Sequence, residues 1–536
     1  LSNKRPRLQQ LSPAEQSLLA EAQHLFDIGQ PMQAKQRCEH LIERKPRAPE
    51  PLLLAAWAST QEGDFFAAER AVKQAALLLP ADAGVQAWAA EVFSSAGDLK
   101  TAESYQLKAD RLGSKETAVL RSLAASFTNE ERYREALPFY QRLMKRDPGD
   151  VSARLNVAYA ARFAGDMDLA RNVLLQLIDD NPRFYQAQFA LSQLRTAESE
   201  QNHINWFERS LADCGEDRQA KGFLGYALGK EYEDLGEYDL AFQHYCIGAS
   251  AQSRARKQVA ADAEMIARVE SYFRDLPTPA DGDLGRGLVF IVGLPRTGTT
   301  LLDRILGAHS HIENSGELRA FPFSVHRLLG LKVREMMTTD LLGSLGRLKH
   351  EELGKAYLAC LPERLLQRDF LTDKNPINFL YAGLIAKALP GARIINIQRN
   401  PMDSCFSNFK QLFAAGAYMH SYDLEEMAGY YSAYSSLTTL WKVSLGDRYI
   451  EVRYEDLVRN PEHQMRDLLS ALNLDWEREV LGFHLRESSV GSASFAQVRQ
   501  PVYSNSAEKW RHFEGHLQPL REALERAGVS ESALGL

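Results

Sequence analysis

The sequence predicts an all-α repeat solenoid followed by an α/β P-loop-like domain with a central parallel sheet. Three observations predict it. Prolines and glycines recur every 34 residues through the first half. An apolar run, Gly287–Leu294, leads directly into Gly293-x-x-x-x-Gly298-Thr299-Thr300. A second such run, Arg393–Gln398, leads into Arg399-Asn400-Pro401. At 536 residues the chain is too long for one hydrophobic core. The expected organisation is a helical repeat domain over 1–273, a linker over 274–286 and the α/β domain over 287–536.

The repeat is carried by three linked series. Prolines fall at Pro46, Pro80, Pro148 and Pro182, with Ser114 in the skipped place. Gly29, Gly63, Gly97, Glu131 and Gly165 keep the same interval. Five residues after each comes an alanine: Ala34, Ala68, Ala102, Ala136 and Ala170. Gly236 with Ala241 repeats the offset out of phase. The pattern reads as a helix-turn-helix unit. The glycine is expected inside the first helix at a close approach, the alanine opposite it on the second, and the proline as the stop. A period of 34 resembles the tetratricopeptide repeat. Regular units cover about 13–195, one more covers about 200–250, and a closing helix is expected over 251–273, with Val259, Met265, Ile266, Val269 and Tyr272 as its apolar positions. Such arrays stack helix pairs around a concave surface. The array therefore reads either as a clamp for a partner or substrate or as a spacer or oligomerisation scaffold.

After the Pro- and Gly-rich linker, Gly287–Leu294 reads as a buried parallel strand. Leu301, Leu302, Ile305 and Leu306 follow at helical spacing. The unit is strand, phosphate loop, helix. The lysine of a nucleotide P-loop is replaced by Thr299. That lysine reaches the β- and γ-phosphates of a nucleoside triphosphate, so its loss argues against a kinase. Backbone N–H groups from Thr297 to Leu301 still suit an anion, with Arg296 and the hydroxyls of Thr299 and Thr300 as added donors. In the second unit, Asn400 is a good N-cap and Pro401 a good first helical residue. Arg399 then sits at a strand's carboxyl end, where open α/β sheets bind ligands, and Ser407 lies two turns into the next helix. Two anion sites without the lysine suggest a nucleotide whose 5′ and 3′ phosphates are held apart.

On these residues the region 287–512 resembles the sulfotransferases that use 3′-phosphoadenosine 5′-phosphosulfate (PAPS). Pro295–Thr300 is similar to that family's 5′-phosphosulfate loop, and Arg399 with Ser407 to its 3′-phosphate pair. Gly316-Glu317-Leu318-Arg319, Asp373-Lys374-Asn375-Pro376, Arg453-Tyr454-Glu455-Asp456-Leu457 and the stretch Ser494–Trp510 resemble the tyrosylprotein sulfotransferases and their bacterial relatives with tetratricopeptide repeats. The resemblance implies Glu317 as the general base. It implies Lys374, Ser494 and Arg296 around the bridging oxygen of the departing nucleotide. Tyr454 and Lys509 would line the nucleotide site, and Arg319 the acceptor side. The acceptor implied is a protein or peptide tyrosine, and the product nucleotide is 3′,5′-adenosine bisphosphate. Two positions depart from the pattern. Phe323 stands where those enzymes have a basic residue for acidic peptides, and Ser315 and Thr372 stand where they have cysteines.

Composition sets the outer limits. Apolar residues make up 45% and charged residues 25%, the balance of a globular chain. With 63 Lys and Arg against 70 Asp and Glu, the net charge of −7 speaks against a nucleic-acid coat. The apolar runs fall far short of the ~20 residues that span a bilayer. Lys4, Arg5 and Arg7 are followed by no apolar stretch, so no secretory signal is expected. The five cysteines have neither zinc nor redox spacing, and no metal is expected. With the fused repeats, these features point to a cytoplasmic bacterial enzyme. Three other readings stand beside the favoured one: the same chemistry on a glycan, lipid or small metabolite, a nucleotide kinase, and a non-catalytic repeat scaffold.

Overall fold

The computed structural model describes residues 8–113, 115–252, 260–274, 281–333, 335–414, 416–485 and 507–534. Five helix pairs come first: α1 (Pro13–Asp27) and α2 (Pro31–Arg44), α3 (Pro49–Gln61) and α4 (Phe65–Leu78), α5 (Ala83–Ser95) and α6 (Leu99–Leu112), α7 (Thr117–Asn129) and α8 (Tyr133–Arg146), α9 (Val151–Ala164) and α10 (Met167–Asp180). Then follow α11 (Tyr185–Ser192), α12 (Ile204–Asp213), α13 (Arg218–Asp234), α14 (Tyr238–Gln252) and α15 (Ala260–Arg274). The repeat alanines sit on the second helix of each pair, all with no solvent exposure. Each repeat proline lies two residues past the end of α2, α4, α8 or α10. In the closing helix α15, Ile266, Val269 and Phe273 are the buried positions; Val259 lies outside the described residues.

The glycines do something other than expected. None is inside a helix. Gly29, Gly63, Gly97, Gly165 and Gly236 lie just past the first helix of their pair, at φ between 70 and 100°, and Glu131 takes the same place at φ 56°. No atom stands within 4 Å of a Cβ added at Gly29 or Gly236, so close approach is not the reason for the residue there. The left-handed backbone is. The Asp64 and Asp98 amides reach back to the Ser59 and Phe93 carbonyls, closing the first helix. The Asp64 and Asp98 carboxylates then cap the second helix at Ala67 and Thr101. Gly-Asp is thus a stop and a start in two residues.

The second half holds a sheet of five parallel strands in the order β2-β3-β1-β4-β5: β1 (Leu288–Gly293), β2 (Ile312–Asn314), β3 (Phe370–Lys374), β4 (Arg393–Gln398) and β5 (Tyr449–Arg453). β1 is central and buried along its whole length, as an all-apolar strand covered on both faces should be. Its Val289 and Ile291 pack with Leu302 and Ile305 of α16 (Thr299–Leu306) and with Ile395 and Ile397 of β4. The chain leaves β1 toward β3 and β2, and leaves β4 toward β5. The crevice where an open sheet binds its ligand therefore opens at the carboxyl ends of β1 and β4.

Packing groups the chain in two compact units that do not follow chain order. One takes in the chain up to Pro148 with Leu318–Leu366, the other Gly149–Glu317 with Gln367–Leu536. Within the first, Arg364 bonds Glu103 and Glu130, Arg327 bonds Glu69, and Phe323 packs against Phe65. Phe323 is 2% exposed, so its ring is core. The second unit contains α9–α15, α16 and the whole sheet.

Candidate active site

Every strand of the sheet delivers a candidate residue at its carboxyl end. β1 leads into the turn Leu294–Gly298. Arg296 there has φ 67°, a conformation that costs a side-chain-bearing residue energy and that recurs at functional turns. Gly298, at φ 105°, is the N-cap of α16, and no side chain caps that helix. A Cβ on Gly298 would stand 2.5 Å from the Tyr454 ring. The first-turn N–H groups of a helix face its N-terminal end, where the helix dipole favours negative charge. Thr297 is turned inward, its hydroxyl donating to the Leu294 carbonyl at 2.7 Å. Thr299 and Thr300 are buried at the helix start. Leu301 is half-buried and packs with Phe163 and Met167.

β2 leads to Glu317 and β3 ends at Lys374. Lys374 is 2% exposed, and its Nζ lies 2.5 Å from Glu317 Oε1. The loop between them is sewn to β3: Ser315 donates its amide and its hydroxyl to the Thr372 carbonyl, and the Lys374 amide donates to the Gly316 carbonyl. Beneath the pair, the Thr372 hydroxyl donates to Asp303 Oδ1 at 2.6 Å. Burial pushes the Asp303 carboxyl above its ordinary range, and the Lys374 charge opposes that. Tyr418 stands near Glu317 in left-handed backbone, φ 50°. Burial raises its phenol, and the Glu317 charge adds to the effect.

β4 leads to Arg399, whose Nη1 donates to the Arg296 carbonyl at 3.1 Å and whose guanidinium lies 4.7 Å over the Tyr454 ring. β5 leads to Tyr454, 8% exposed. The Asn400 side chain caps Pro401–Phe409 at Met402 and Asp403, as its sequence requires, and Ser407 lies half-buried on that helix. Asn408 donates to the Pro295 carbonyl at 2.8 Å, fixing the helix to the turn after β1. Asp403 accepts from the Glu508 and Trp510 amides, which brings Lys509 to the same helix.

The structure therefore brings Arg296, Thr297, Gly298, Thr299, Thr300, Leu301, Glu317, Lys374, Arg399, Ser407, Tyr454 and Lys509 to one end of one sheet or its adjoining segments. Arg319 belongs to the other compact unit, exposed at the N-cap of Ala320–Leu329. Ser494, with Gln497, Val498 and Pro501, lies outside the described residues. Asp303, Asp403, Lys410 and Tyr418 were not singled out in the sequence. Asp403 carried a signal, since it stands four residues after Arg399 on a helix face; the other three depend on contacts distant in sequence. Among the described residues, no group of three or more His, Cys, Asp or Glu is placed to hold a metal ion, and no helix is long and apolar enough to cross a membrane. The five cysteines are free thiols.

The family model described as Sulfotransferase family matches residues 289–478, the span that carries all five strand ends but the first residue of β1. That segment is similar to the sulfotransferase family. The model described as Tetratricopeptide repeat matches residues 128–194. An uncharacterized protein of Aquifex aeolicus is 28% identical over 73% of this chain and 52% of its own length. Protein-tyrosine sulfotransferase 1 of Danio rerio is 29% identical over 44% of this chain and 69% of its own. The chain thus spans about half the length of the first of these curated relatives. Among solved structures, the sulfotransferase domain of the Synechococcus PCC 7002 olefin synthase is 24% identical, covering 44% of this chain and 89% of that one at a TM-score of 0.31. The tetratricopeptide match falls within the helical first half and the sulfotransferase match on the parallel sheet that follows it.

Proposed function

We propose that this chain transfers the sulfonate group of PAPS to an acceptor hydroxyl, with a protein or peptide tyrosine as the favoured acceptor. The observation that carries the reading is the Lys374–Glu317 pair at 2.5 Å, next to a phosphate turn that lacks the kinase lysine. An acid-base pair at that point suits an in-line displacement at sulfur. The acceptor oxygen attacks sulfur while Glu317 takes its proton. The bond from sulfur to the bridging phosphate oxygen breaks, and the negative charge leaves on 3′,5′-adenosine bisphosphate. Full ionisation of a phenol (pKa ~10) by a carboxylate (~4.3) is uphill by several units, so proton transfer accompanies S–O bond formation.

The pairing couples the two ends of the reaction. As Glu317 gains the proton, it loses its hold on the Lys374 ammonium. That cation is then available for the oxygen where charge develops, together with Arg296 and, by resemblance, Ser494. Thr299, Thr300 and the first-turn amides hold the 5′ group, and Arg399 and Ser407 the 3′-phosphate. Tyrosine is favoured by the likeness to enzymes named for that acceptor and by the aromatic side chain of Tyr418 beside the base. Arg319 is assigned to acceptor binding, and the repeat array to holding a protein acceptor or pairing subunits.

The test is turnover of labelled PAPS with tyrosine peptides by Glu317→Ala. Turnover is expected to fall ~10²–10⁴-fold while affinity for 3′,5′-adenosine bisphosphate stays within about twofold of the parent. Equal loss of turnover and affinity would remove Glu317 as the base.

A further inference from the structure

Resting on that donor reading, we infer that Lys410 is a further cation of the 3′-phosphate site, and that Glu233, on α13 of the repeat half, holds it when no nucleotide is bound. Arg399, Asp403, Ser407 and Lys410 follow one another at intervals of four, four and three residues. That spacing lines them along one face of Pro401–Phe409 and its flanks. Lys410 thus stands one turn beyond the serine assigned to the 3′-phosphate.

Its ammonium is 2.6 Å from Glu233 Oε1 on α13, with side chains 14% and 18% exposed. Tyr245 of α14 donates its hydroxyl to Glu233 Oε2 at 2.8 Å. The ammonium also lies over the rings of Phe406 and Phe513, at 4.8 and 5.4 Å. Asp403 lies 3.5 Å from Arg399 and Glu233 lies against Lys410, so the cluster of Arg399, Lys410 and Lys509 holds one cation more than it has carboxylates. Arg399 and Lys509 are close enough that burial and their repulsion push the Lys410 ammonium below its ordinary pKa, against the pull of Glu233. Glu233 in turn is held below its ordinary range despite burial, by Lys410 first and by Lys509 in addition. An ion pair taken out of water is a weak source of stability. Here it keeps a cation waiting among other cations, a setting that a phosphate dianion would complete.

The helices that supply Glu233 and Tyr245 are fixed against this site. The Tyr226 hydroxyl donates to the Phe409 carbonyl at 3.0 Å. Tyr238 stacks on His512 with centroids 4.6 Å apart. Asp239 accepts from or pairs with His516 at 2.7 Å. A Cβ on Gly225 would meet the Gly248 backbone at 2.5 Å, so α13 and α14 are locked together as well. The last helix pair of the repeat half is thereby a wall of the nucleotide site, and its carboxylate competes with the 3′-phosphate for one lysine.

The experiment is calorimetric titration of 3′,5′-adenosine bisphosphate and adenosine 5′-monophosphate into the full chain and three variants. Lys410→Met is expected to weaken the bisphosphate ~10-fold and leave the monophosphate unchanged, with Lys410→Arg restoring most of the loss. Glu233→Gln, which keeps the shape and an acceptor for Tyr245, is expected to tighten the bisphosphate several-fold and leave the monophosphate unchanged. A bisphosphate affinity unchanged in either Lys410→Met or Glu233→Gln, or an equal change for both nucleotides, would overturn the inference while the donor reading stands. A parent chain that does not prefer the bisphosphate would overturn the donor reading, and this inference with it.

Discussion

Lys374 shows how much a single residue can depend on its neighbour. A lysine with 2% exposure is costly unless it is paired, and its partner is the carboxylate proposed to take the acceptor proton. Lys374→Met should therefore lower kcat ~10²–10³-fold with a much smaller change in nucleotide affinity, read by steady-state kinetics beside calorimetry. A loss confined to KM would instead make Lys374 a binding residue. Both residues were legible in the sequence because the short motifs around Glu317 and Lys374 carry them. Asp303 was not. Its role beneath the pair rests on the Thr372 hydroxyl bond, which joins positions 69 residues apart and leaves no local pattern.

At the level of the helix pair, the period of 34 was readable and the reason for it was not. Spacing alone cannot tell a glycine that lets two helices touch from one that supplies a left-handed turn. The two accounts predict different mutants. Gly29→Ala should cost only the turn strain, ~1–2 kcal/mol, because no atom stands within 4 Å of the new Cβ. Gly97→Ala should cost more, since its Cβ would meet the Ala320 backbone at 3.1 Å as well. Urea denaturation of the two variants measures the difference, and equal losses would contradict it. The aspartate that follows the glycine adds a pH dependence. Burial raises the Asp64 carboxyl, but the Lys35 and Ala67 hydrogen bonds and the Lys35 charge outweigh it, holding the group below its ordinary 3.8. A depressed folded pKa means that stability is present above the unfolded value and lost as pH falls through the folded one. The first compact unit should lose stability on acidification below 3.8, and Asp64→Asn should flatten that loss in acid titrations followed by circular dichroism. A parent and variant with the same acid profile would remove Asp64 from the account.

At the scale of the whole chain, sequence order and packing order differ. The strands, the turn after β1 and the family likeness could all be read from local runs of residues. The grouping of Leu318–Leu366 with the first eight helices, and of α9–α15 with the sheet, could not, because it rests on ion pairs and ring contacts between positions up to some 260 residues apart. The second grouping has a functional consequence. Nucleotide should slow amide exchange at residues 294–301 and 399–410, and also in α13 where it carries Glu233. Protection confined to the first two segments would leave α13 outside the site. The central claim is that the phosphate turn and the Arg399 site together hold a PAPS-type nucleotide. The most direct test is calorimetric titration of the chain with 3′,5′-adenosine bisphosphate and with ATP, in chelator. Tight binding of the bisphosphate and none of ATP is the predicted result; binding of ATP, or of neither nucleotide, would contradict it.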